Sequence, residues 1–184
     1  RDDDNSGLGD WFVNEDKIKC GLHKLVEQIN DLDMKFGIWF EPEMVSEDSD
    51  LYRAHPDWAM QIPGRHAVRS RNQMALDMSR KEVQDYLIEK INAILDDANI
   101  YYVKWDINRS LADIWSNDLP AEKQGEVYHR YILGLYRVMD AIILTHPDIL
   151  FEGCSGGGGR YDPAMLHYYP QYWVSDNNHP IDRL

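Results

Sequence analysis

The sequence has 184 residues, of which 43% are hydrophobic; this is enough for one domain with a buried core and excludes a disordered chain. Its 32 acidic residues outnumber its 19 lysines and arginines, and the net charge of −13 disfavours nucleic acid and anionic membranes as partners. Two distant cysteines and the lack of a long apolar run indicate no disulfide framework or membrane span, so we expect a cytoplasmic protein that acts on a small molecule.

The first half of the chain contains one strong helix pattern and one strand pattern. Residues 15–34 carry apolar side chains at helical spacing, which predicts an amphipathic helix. The short β-branched and aromatic segment 36–43 predicts a strand that Pro42 ends. Residues 44–78 are irregular, and we expect a long loop there with a short helix near SDLYRAH.

The second half repeats the alternation of helix and strand. A helix is predicted at about 80–98, with Ser79 and Glu82 as a capping box. A strand at 100–105 and a helix at about 121–145 follow, and Pro147 stops that helix. The chain then predicts, in order, a strand at 149–154, a glycine loop in SGGGG, at most a short helix in DPAMLHYY, and a strand at 171–176.

This alternation predicts an α/β fold with parallel strands and right-handed crossovers. Two architectures fit it: a doubly wound sheet, or part of a (β/α)₈ barrel. A whole barrel needs about 250 residues. Because the chain has four long strands, no initial methionine, and an end just after a strand, we expect residues 1–184 to be a fragment of a larger protein.

Polar residues collect where the predicted strands end. Parallel strands place their carboxyl ends on one rim, which is where α/β enzymes carry out chemistry. We therefore expect a site at this rim, formed from Glu41, Glu43, the segment 104–109, Glu152, Cys154, Ser155 and the segment 175–178.

The standard motifs for other chemistries mostly fail. The seven histidines form no H-x-x-x-H or H-x-H pair, so no metal site is predicted. GCSGG at 153–157 fits the nucleophile elbow of serine esterases, with Asp176 and His179 following in chain order. The run of glycines after Ser155 opposes the helix that an elbow requires, so this alternative is the weaker one.

Paired carboxylates fit better. Asp106 and Asp176 end the second and fourth long strands, and two carboxylates that face each other across a pocket are what glycoside hydrolysis requires. Lys104 and Arg109 flank Asp106, and cations lower the pKa of a nearby carboxyl, which favours an ionised nucleophile. Asp176 has uncharged neighbours, which favours a proton donor.

Four segments together resemble glycoside hydrolase family 36, the microbial α-galactosidases. They are FGIWFEPEMV (36–45), YVKWDINR (102–109), FEGCSGGGGR (151–160) and YWVSDN (172–177); the opening RDDDNSGLGDW at 1–11 adds to the likeness. The resemblance implies that residues 1–184 belong to a single catalytic (β/α)₈ barrel, roughly strands three to six. It implies a retaining hydrolase for α-galactosides of the melibiose or raffinose type, without a cofactor, and often a tetramer.

The resemblance also implies roles for individual residues. The nucleophile falls on Asp106 and the acid/base on Asp176. The family's sugar contacts fall on Trp39, Arg71, Lys104, Asn108 and Cys154. The family segment DDGWFG, whose aspartates bind sugar hydroxyls, has no counterpart in this sequence, and Asn178 and His179 depart from the family pattern.

Three alternatives remain open at this point. The protein could transfer galactose to a sugar instead of water, or act on α-linked N-acetylgalactosamine, because the pocket near C2 depends on Cys154 and its neighbours. It could also be a sugar-binding fragment without catalytic activity, since part of a barrel leaves open strand edges.

Overall fold

The computed structural model describes residues 3 and 5–183. Arg1, Asp2 and Asp4 of the opening segment, and Leu184, lie outside the described residues. The strands are β1 (Phe36–Phe40), β2 (Met44–Val45), β3 (Met74–Ala75), β4 (Ile100–Trp105), β5 (Leu150–Gly153) and β6 (Gln171–Tyr172). The helices are α1 (Leu22–Asn30), α2 (Asp50–Ala54), α3 (Lys81–Asp97), α4 (Val127–Thr145) and α5 (Pro163–Tyr168).

The main sheet has four strands in the order β1-β4-β5-β6, and every neighbouring pair is parallel. The order of these strands in space therefore follows their order in the chain. A doubly wound sheet reverses direction at a switch point, whereas a (β/α)₈ barrel adds strands in chain order. The parallel α/β prediction is confirmed, and the sheet is consistent with part of a barrel.

The strand register places polar side chains in one layer across the sheet. Trp39 pairs with Lys104, Lys104 with Glu152, and Glu152 with Gln171. Side chains alternate between the two faces of a strand. Val103 and Phe151, which directly precede Lys104 and Glu152, therefore lie on the other face of the sheet. Both are buried in the hydrophobic core.

The core continues into the two long helices. Leu87 and Ile91 of α3 and Val138 and Ile142 of α4 have no exposed surface and belong to the same hydrophobic cluster as Val103. Burial of side chains of this size contributes about 1.5–3 kcal/mol each. This continuous cluster holds β4 in place and thereby fixes the position of the residues that follow it.

Several predicted boundaries were wrong. Helix α1 begins at Leu22, not at residue 15, because Gly21 has a φ of 78° and interrupts the helical path. Strand β1 ends at Phe40 instead of residue 43, and β6 ends at Tyr172 instead of residue 176. The six residues before Val127 form a 3₁₀ helix, so α4 is shorter than predicted.

The predicted capping box is also absent. Arg80 is the N-cap of α3, and no side chain caps that helix end. The hydroxyl of Ser79 instead donates a hydrogen bond to Asp77 at 2.5 Å. The helix near SDLYRAH is confirmed as α2, where the Ser49 hydroxyl accepts from the amide of Tyr52 at 3.0 Å.

The segment between β1 and α3 contains more order than its sequence suggests. Strands β2 and β3 pair in antiparallel fashion beside the main sheet. Within the described residues, none of the helices combines the length and the apolar character that crossing a bilayer requires.

Candidate active site

Asp106 follows β4 directly and is 6% exposed. Its Oδ2 accepts hydrogen bonds from the Trp39 indole at 3.1 Å and from the side-chain amide of Asn108 at 2.8 Å. Its Oδ1 accepts from the amide of Ile107 at 2.8 Å and from that of Gly156 at 3.4 Å. Both carboxylate oxygens are therefore fixed by donors from β1, from the segment after β4 and from the segment after β5.

Two opposing effects act on the acidity of Asp106. Burial raises its pKa, but hydrogen bonds from the Cys154 thiol, Trp39 and Asn108 lower it by more, and the pKa lies below its ordinary value. Donors that bind the charged form of a carboxyl favour that form. Asp106 is thus held as a carboxylate, which is the state that a nucleophile needs.

The direction of this pKa shift agrees with the sequence argument, but the cause differs. Lys104 pairs with Glu152 at 3.6 Å, and its ammonium also lies 4.2 Å from the centre of the Trp173 ring. Arg109 donates to main-chain carbonyl oxygens, including that of Val68 at 2.8 Å. The two cations that flank Asp106 in sequence are engaged elsewhere, and hydrogen-bond donors replace them.

Asp176 lies four residues after β6 and is exposed. The indole of Trp173 donates to its Oδ1 at 2.8 Å. The ammonium of Lys104 lies over the same Trp173 ring. Trp173 therefore contacts both Lys104 of the polar layer and Asp176.

The glycine loop, residues 155–160, joins the two aspartates. The amide of Gly156 contacts Asp106, and the next residue, Gly157, packs against the backbone of Asp176. A Cβ atom on Gly157 would lie 2.7 Å from the Asp176 nitrogen, and its φ is 79°. Only glycine combines a positive φ with the absence of a Cβ atom, so only glycine fits at this position. Asp106 and Asp176 therefore border neighbouring residues of one loop.

A buried ion pair anchors the far end of the glycine loop. The Arg160 guanidinium donates two hydrogen bonds of 2.8 Å to Glu43, which is fully buried after β1. Tyr131 of α4 and Trp105 of β4 also donate to this carboxylate, at 2.6 and 3.1 Å. Burial raises the pKa of Glu43, but Arg160 outweighs it, and the pKa is lowered.

The structure brings most of the sequence-predicted sugar contacts near the two aspartates. Trp39 and Asn108 donate hydrogen bonds to Asp106, the Cys154 thiol lies near enough to lower the pKa of Asp106, and Lys104 reaches Asp176 through Trp173. Burial raises the pKa of the Cys154 thiol to about 11, so it acts as a neutral donor.

Arg71 is the exception among the predicted contacts. It lies exposed in a two-residue turn between Ser70 and Gln73, where both central residues have a positive φ. Among the described residues it forms no hydrogen bond or ion pair with either aspartate. The turn is nevertheless close to the site, because Gln73 donates to the buried carboxylate of Glu41 at 3.0 Å.

The serine-esterase alternative finds no support. Turns, not a helix, follow Ser155. Its hydroxyl donates to the carbonyl of Cys154 at 2.6 Å and also lies 3.1 Å from the Tyr172 hydroxyl. His179 lies 3.6 Å from Asp182, and within the described residues it forms no hydrogen bond with Ser155 that could activate the serine.

A cavity of about 570 Å³ lies beside the Asp106 turn, between that turn, α4 and the glycine loop. It is lined in part by Asn108, Gly156 and Arg160, but not by either aspartate. The face of the sheet that carries Trp39 is open instead: this indole is 37% exposed although it contacts Asp106. We assign the site to the open face of the sheet, because the carboxylate of Asp106 and the exposed indole of Trp39 meet there.

Sequence reasoning did not identify Gln73 and Arg160 as part of the site. Both lie in irregular segments, and neither ends a predicted strand, so periodicity gave no signal for them. The sequence offers one indirect signal for them. If Glu41 and Glu43 are buried, each needs a hydrogen-bond donor or a cation from elsewhere in the chain, and Gln73 and Arg160 fill these roles.

Comparison with known proteins gives a consistent result. A model of the Melibiase family matches residues 1–184. The chain is similar to α-galactosidase AgaA of Geobacillus stearothermophilus, with 56% identity over 184 residues, which are 100% of this chain and 25% of that protein. The chain thus spans about a quarter of the length of this curated relative.

Two crystal structures of AgaA variants superimpose on the chain. One is a complex with raffinose (TM-score 0.97, 55% identity) and the other a complex with stachyose (TM-score 0.96, 55% identity). Each match covers 100% of this chain and 26% of the crystallised one.

Proposed function

The chain belongs to the Melibiase family, and we propose that the intact protein is a retaining α-galactosidase whose catalytic barrel includes residues 1–184 as roughly strands three to six. Its substrates are α-galactosides of the raffinose type, because relatives are named α-galactosidases and AgaA variants bind raffinose and stachyose. The family resemblance further supports a homo-oligomer, with a tetramer as the expected form, whereas the proposed cytoplasmic location rests on the cysteine usage of the sequence.

One observation carries the proposal: Asp106 and Asp176 border adjacent residues of the glycine loop. Glycoside hydrolysis needs two carboxyl groups on one hollow, about 5–5.5 Å apart when configuration is retained. The two groups also have different surroundings. Asp106 is buried among donors, whereas Asp176 is exposed and receives a hydrogen bond from Trp173 on one oxygen.

The proposed mechanism assigns these two carboxyls different steps. Asp106, held ionised, attacks the anomeric carbon of the galactosyl residue, while Asp176 gives its proton to the departing oxygen. We expect that proton on Oδ2 of Asp176, because Trp173 holds Oδ1. Asp176 then takes a proton from water, and the water oxygen replaces Asp106 at the anomeric carbon, which releases galactose with its original configuration.

The remaining predicted contacts bind the sugar ring in this proposal. Trp39 offers an apolar surface beside the nucleophile, and Lys104 and Asn108 offer donors on either side of it. Cys154 and the glycines after it let the ring approach the chain closely. Arg71, at the tip of its turn, is the remaining sugar contact that the family resemblance implies.

The two AgaA complexes add independent support. The raffinose complex carries an aspartate-to-asparagine substitution and the stachyose complex an aspartate-to-alanine substitution. The two substituted positions of AgaA are seventy residues apart, which is also the separation of Asp106 and Asp176 in this chain. Bound, uncleaved oligosaccharides are the expected result when a catalytic carboxyl is removed.

A time-resolved NMR experiment on the intact protein tests the proposal. With raffinose as substrate, α-galactose is expected to appear first and to convert later to the β-anomer. Early β-galactose would show inversion and contradict the retaining mechanism. Galactosylated oligosaccharides as the main product at low acceptor concentration would instead identify a transferase.

A further inference from the structure

Glu41 is a buried carboxylate that connects the turn after β4 with the segment before β3. It follows β1 directly, and its side chain is fully buried. Its Oε1 accepts from the main-chain amide of Asn108 at 2.8 Å, and its Oε2 accepts from the Gln73 side chain at 3.0 Å. Asn108 in turn donates from its side-chain amide to Asp106 at 2.8 Å.

We propose that Glu41 is a positioning residue that orients the nucleophile Asp106 through Asn108. The role rests on the proposed function, since it matters only if Asp106 reacts. Glu41 is buried even in this open sheet, so it does not touch substrate. Its effect must pass through the residue whose amide it holds.

The chain after β4 needs such an anchor. The strand ladder ends with the hydrogen bond from the Asp106 amide to the carbonyl oxygen of Phe40 at 2.8 Å, and residues 107 and 108 belong to no helix or strand. A buried amide without an acceptor is unfavourable by about 1–3 kcal/mol. By accepting from Asn108, Glu41 both satisfies this amide and sets the direction of the side chain that holds Oδ2 of Asp106.

A second contact ties the same turn to the same segment. The Arg109 guanidinium donates to the carbonyl oxygens of Val68 and Gln73. Gln73 therefore contacts the turn after β4 twice, through Glu41 and through Arg109. This double connection restrains the turn from the side opposite to the glycine loop.

The burial of Glu41 has a free-energy cost that its contacts must offset. Burial raises its pKa, while the hydrogen bonds from Asn108 and Gln73 act in the opposite direction without cancelling the rise. A methionine would fill the same space at no such cost. The presence of a carboxyl here is explained by the two donors that it aligns.

Two variants of the intact enzyme separate positioning from packing. Glu41→Gln keeps an acceptor for Asn108, and the Gln73 amide can rotate so that its oxygen, which has no hydrogen-bond partner among the described residues, accepts from the new amide. Glu41→Met keeps the volume but removes both acceptors. With raffinose, we expect Glu41→Met to lower kcat at least about tenfold with KM changed less than about threefold, and Glu41→Gln to restore kcat to within about threefold of the parent.

Leu87→Ala on α3 serves as the matched control for lost stability. Leu87 is fully buried in the core, and its truncation destabilises by about 2–5 kcal/mol. At a temperature where all variants are folded, as measured by circular dichroism, its kcat is expected to equal that of the parent. If Glu41→Met does not fold, Glu41→Asp, which retracts the acceptor by one methylene, is expected to show the selective loss of kcat.

The outcomes distinguish this inference from the proposed function. A parent enzyme that releases no galactose would contradict the function and this role together. An active parent with an unaffected Glu41→Met would contradict the role of Glu41 alone. A Glu41→Gln variant as slow as Glu41→Met would also contradict it, because an acceptor for Asn108 would then not suffice.

Discussion

At the scale of single residues, the acidity of Asp106 depends on hydrogen bonds and not on neighbouring charge. Burial alone can raise a carboxyl pKa by several units, yet here the pKa is lowered. The Cys154 thiol is the first of the donors that lower it. This gives Cys154 an electrostatic role in addition to the sugar contact proposed for it.

Cys154→Ala is therefore expected to raise the pKa of Asp106. A hydrogen bond to a charged group contributes about 1.5–3 kcal/mol, and one pKa unit corresponds to about 1.36 kcal/mol. Since Asp106 must be ionised to react, the acidic limb of the kcat/KM profile is expected to move to higher pH by about one unit. The measurement is kcat/KM for an activated α-galactoside from pH 3 to pH 8, in about half-unit steps.

Cys20→Ala is the control for this experiment. Cys20 is exposed and makes only a weak contact with its neighbour Gly21. Its removal is expected to leave the pH profile unchanged. An acidic limb that stays in place, or moves to lower pH, in Cys154→Ala would show that the thiol does not stabilise the carboxylate.

The proposed roles of the two aspartates come from the sequence, whereas their hydrogen-bond partners are seen only in the structure. Strand ends and the KWD and SDN motifs pointed to Asp106 and Asp176. The nearest cations in sequence, Lys104 and Arg109, suggested the wrong cause for the lowered pKa. Proximity in the sequence does not reveal that Lys104 pairs with Glu152, that Arg109 donates to main-chain carbonyl oxygens, or that a loop fifty residues later supplies a donor to Asp106.

At the scale of elements, the contact of α3 with α4 depends on one glycine. Gly134 of α4 lies so close to the segment before α3 that a Cβ atom would meet the carbonyl oxygen of Met78 at 1.8 Å. Gln84 of α3 donates to that same carbonyl at 2.8 Å. The atom nearest to this Cβ position belongs to the backbone of Met78, which cannot move aside as a flexible side chain could.

Gly134→Ala is expected to destabilise the protein although alanine favours helices. The helical preference for alanine is about 1 kcal/mol, whereas overpacking against backbone costs about 1–3 kcal/mol or more. We expect a lower midpoint of thermal unfolding in differential scanning calorimetry. A midpoint equal to or above that of the parent would contradict the close packing of α3 and α4.

Gly125→Ala is the matched control in the same part of the chain. A Cβ atom on Gly125 would meet nothing within 4 Å, and the residue lies in the 3₁₀ helix before α4. Its replacement is expected to be neutral or to stabilise by up to about 1 kcal/mol.

Long elements could be predicted from periodicity, but short ones could not. Helix α3 and strand β4 lie within one residue of their predicted bounds, because their apolar patterns extend over many positions. Strands β2 and β3 have two residues each, which is too short for alternation to be recognised. They form because tertiary contacts, among them the bond from Gln73 to Glu41, fold this segment back onto β1.

At the scale of the whole molecule, the strand order is what gives the two aspartates a common site. Four parallel strands in chain order place the ends of β4 and β6 on one rim, two positions apart. The alternation of elements left a doubly wound sheet and a barrel open, and the order of pairing is consistent with part of a barrel. Pairing order is a long-range property, so local sequence patterns could not supply it.

The central claim is that Asp106 forms a covalent bond to galactose on this rim while Asp176 transfers protons. Mass spectrometry of the intact enzyme after reaction with an activated 2-deoxy-2-fluoro-α-galactoside tests it most directly, because the fluorine slows the second step and the intermediate accumulates. We predict one galactosyl label, on the peptide that contains Asp106, and no label in Asp106→Asn. A label on Asp176, on Glu152 or on any residue other than Asp106 would contradict the account.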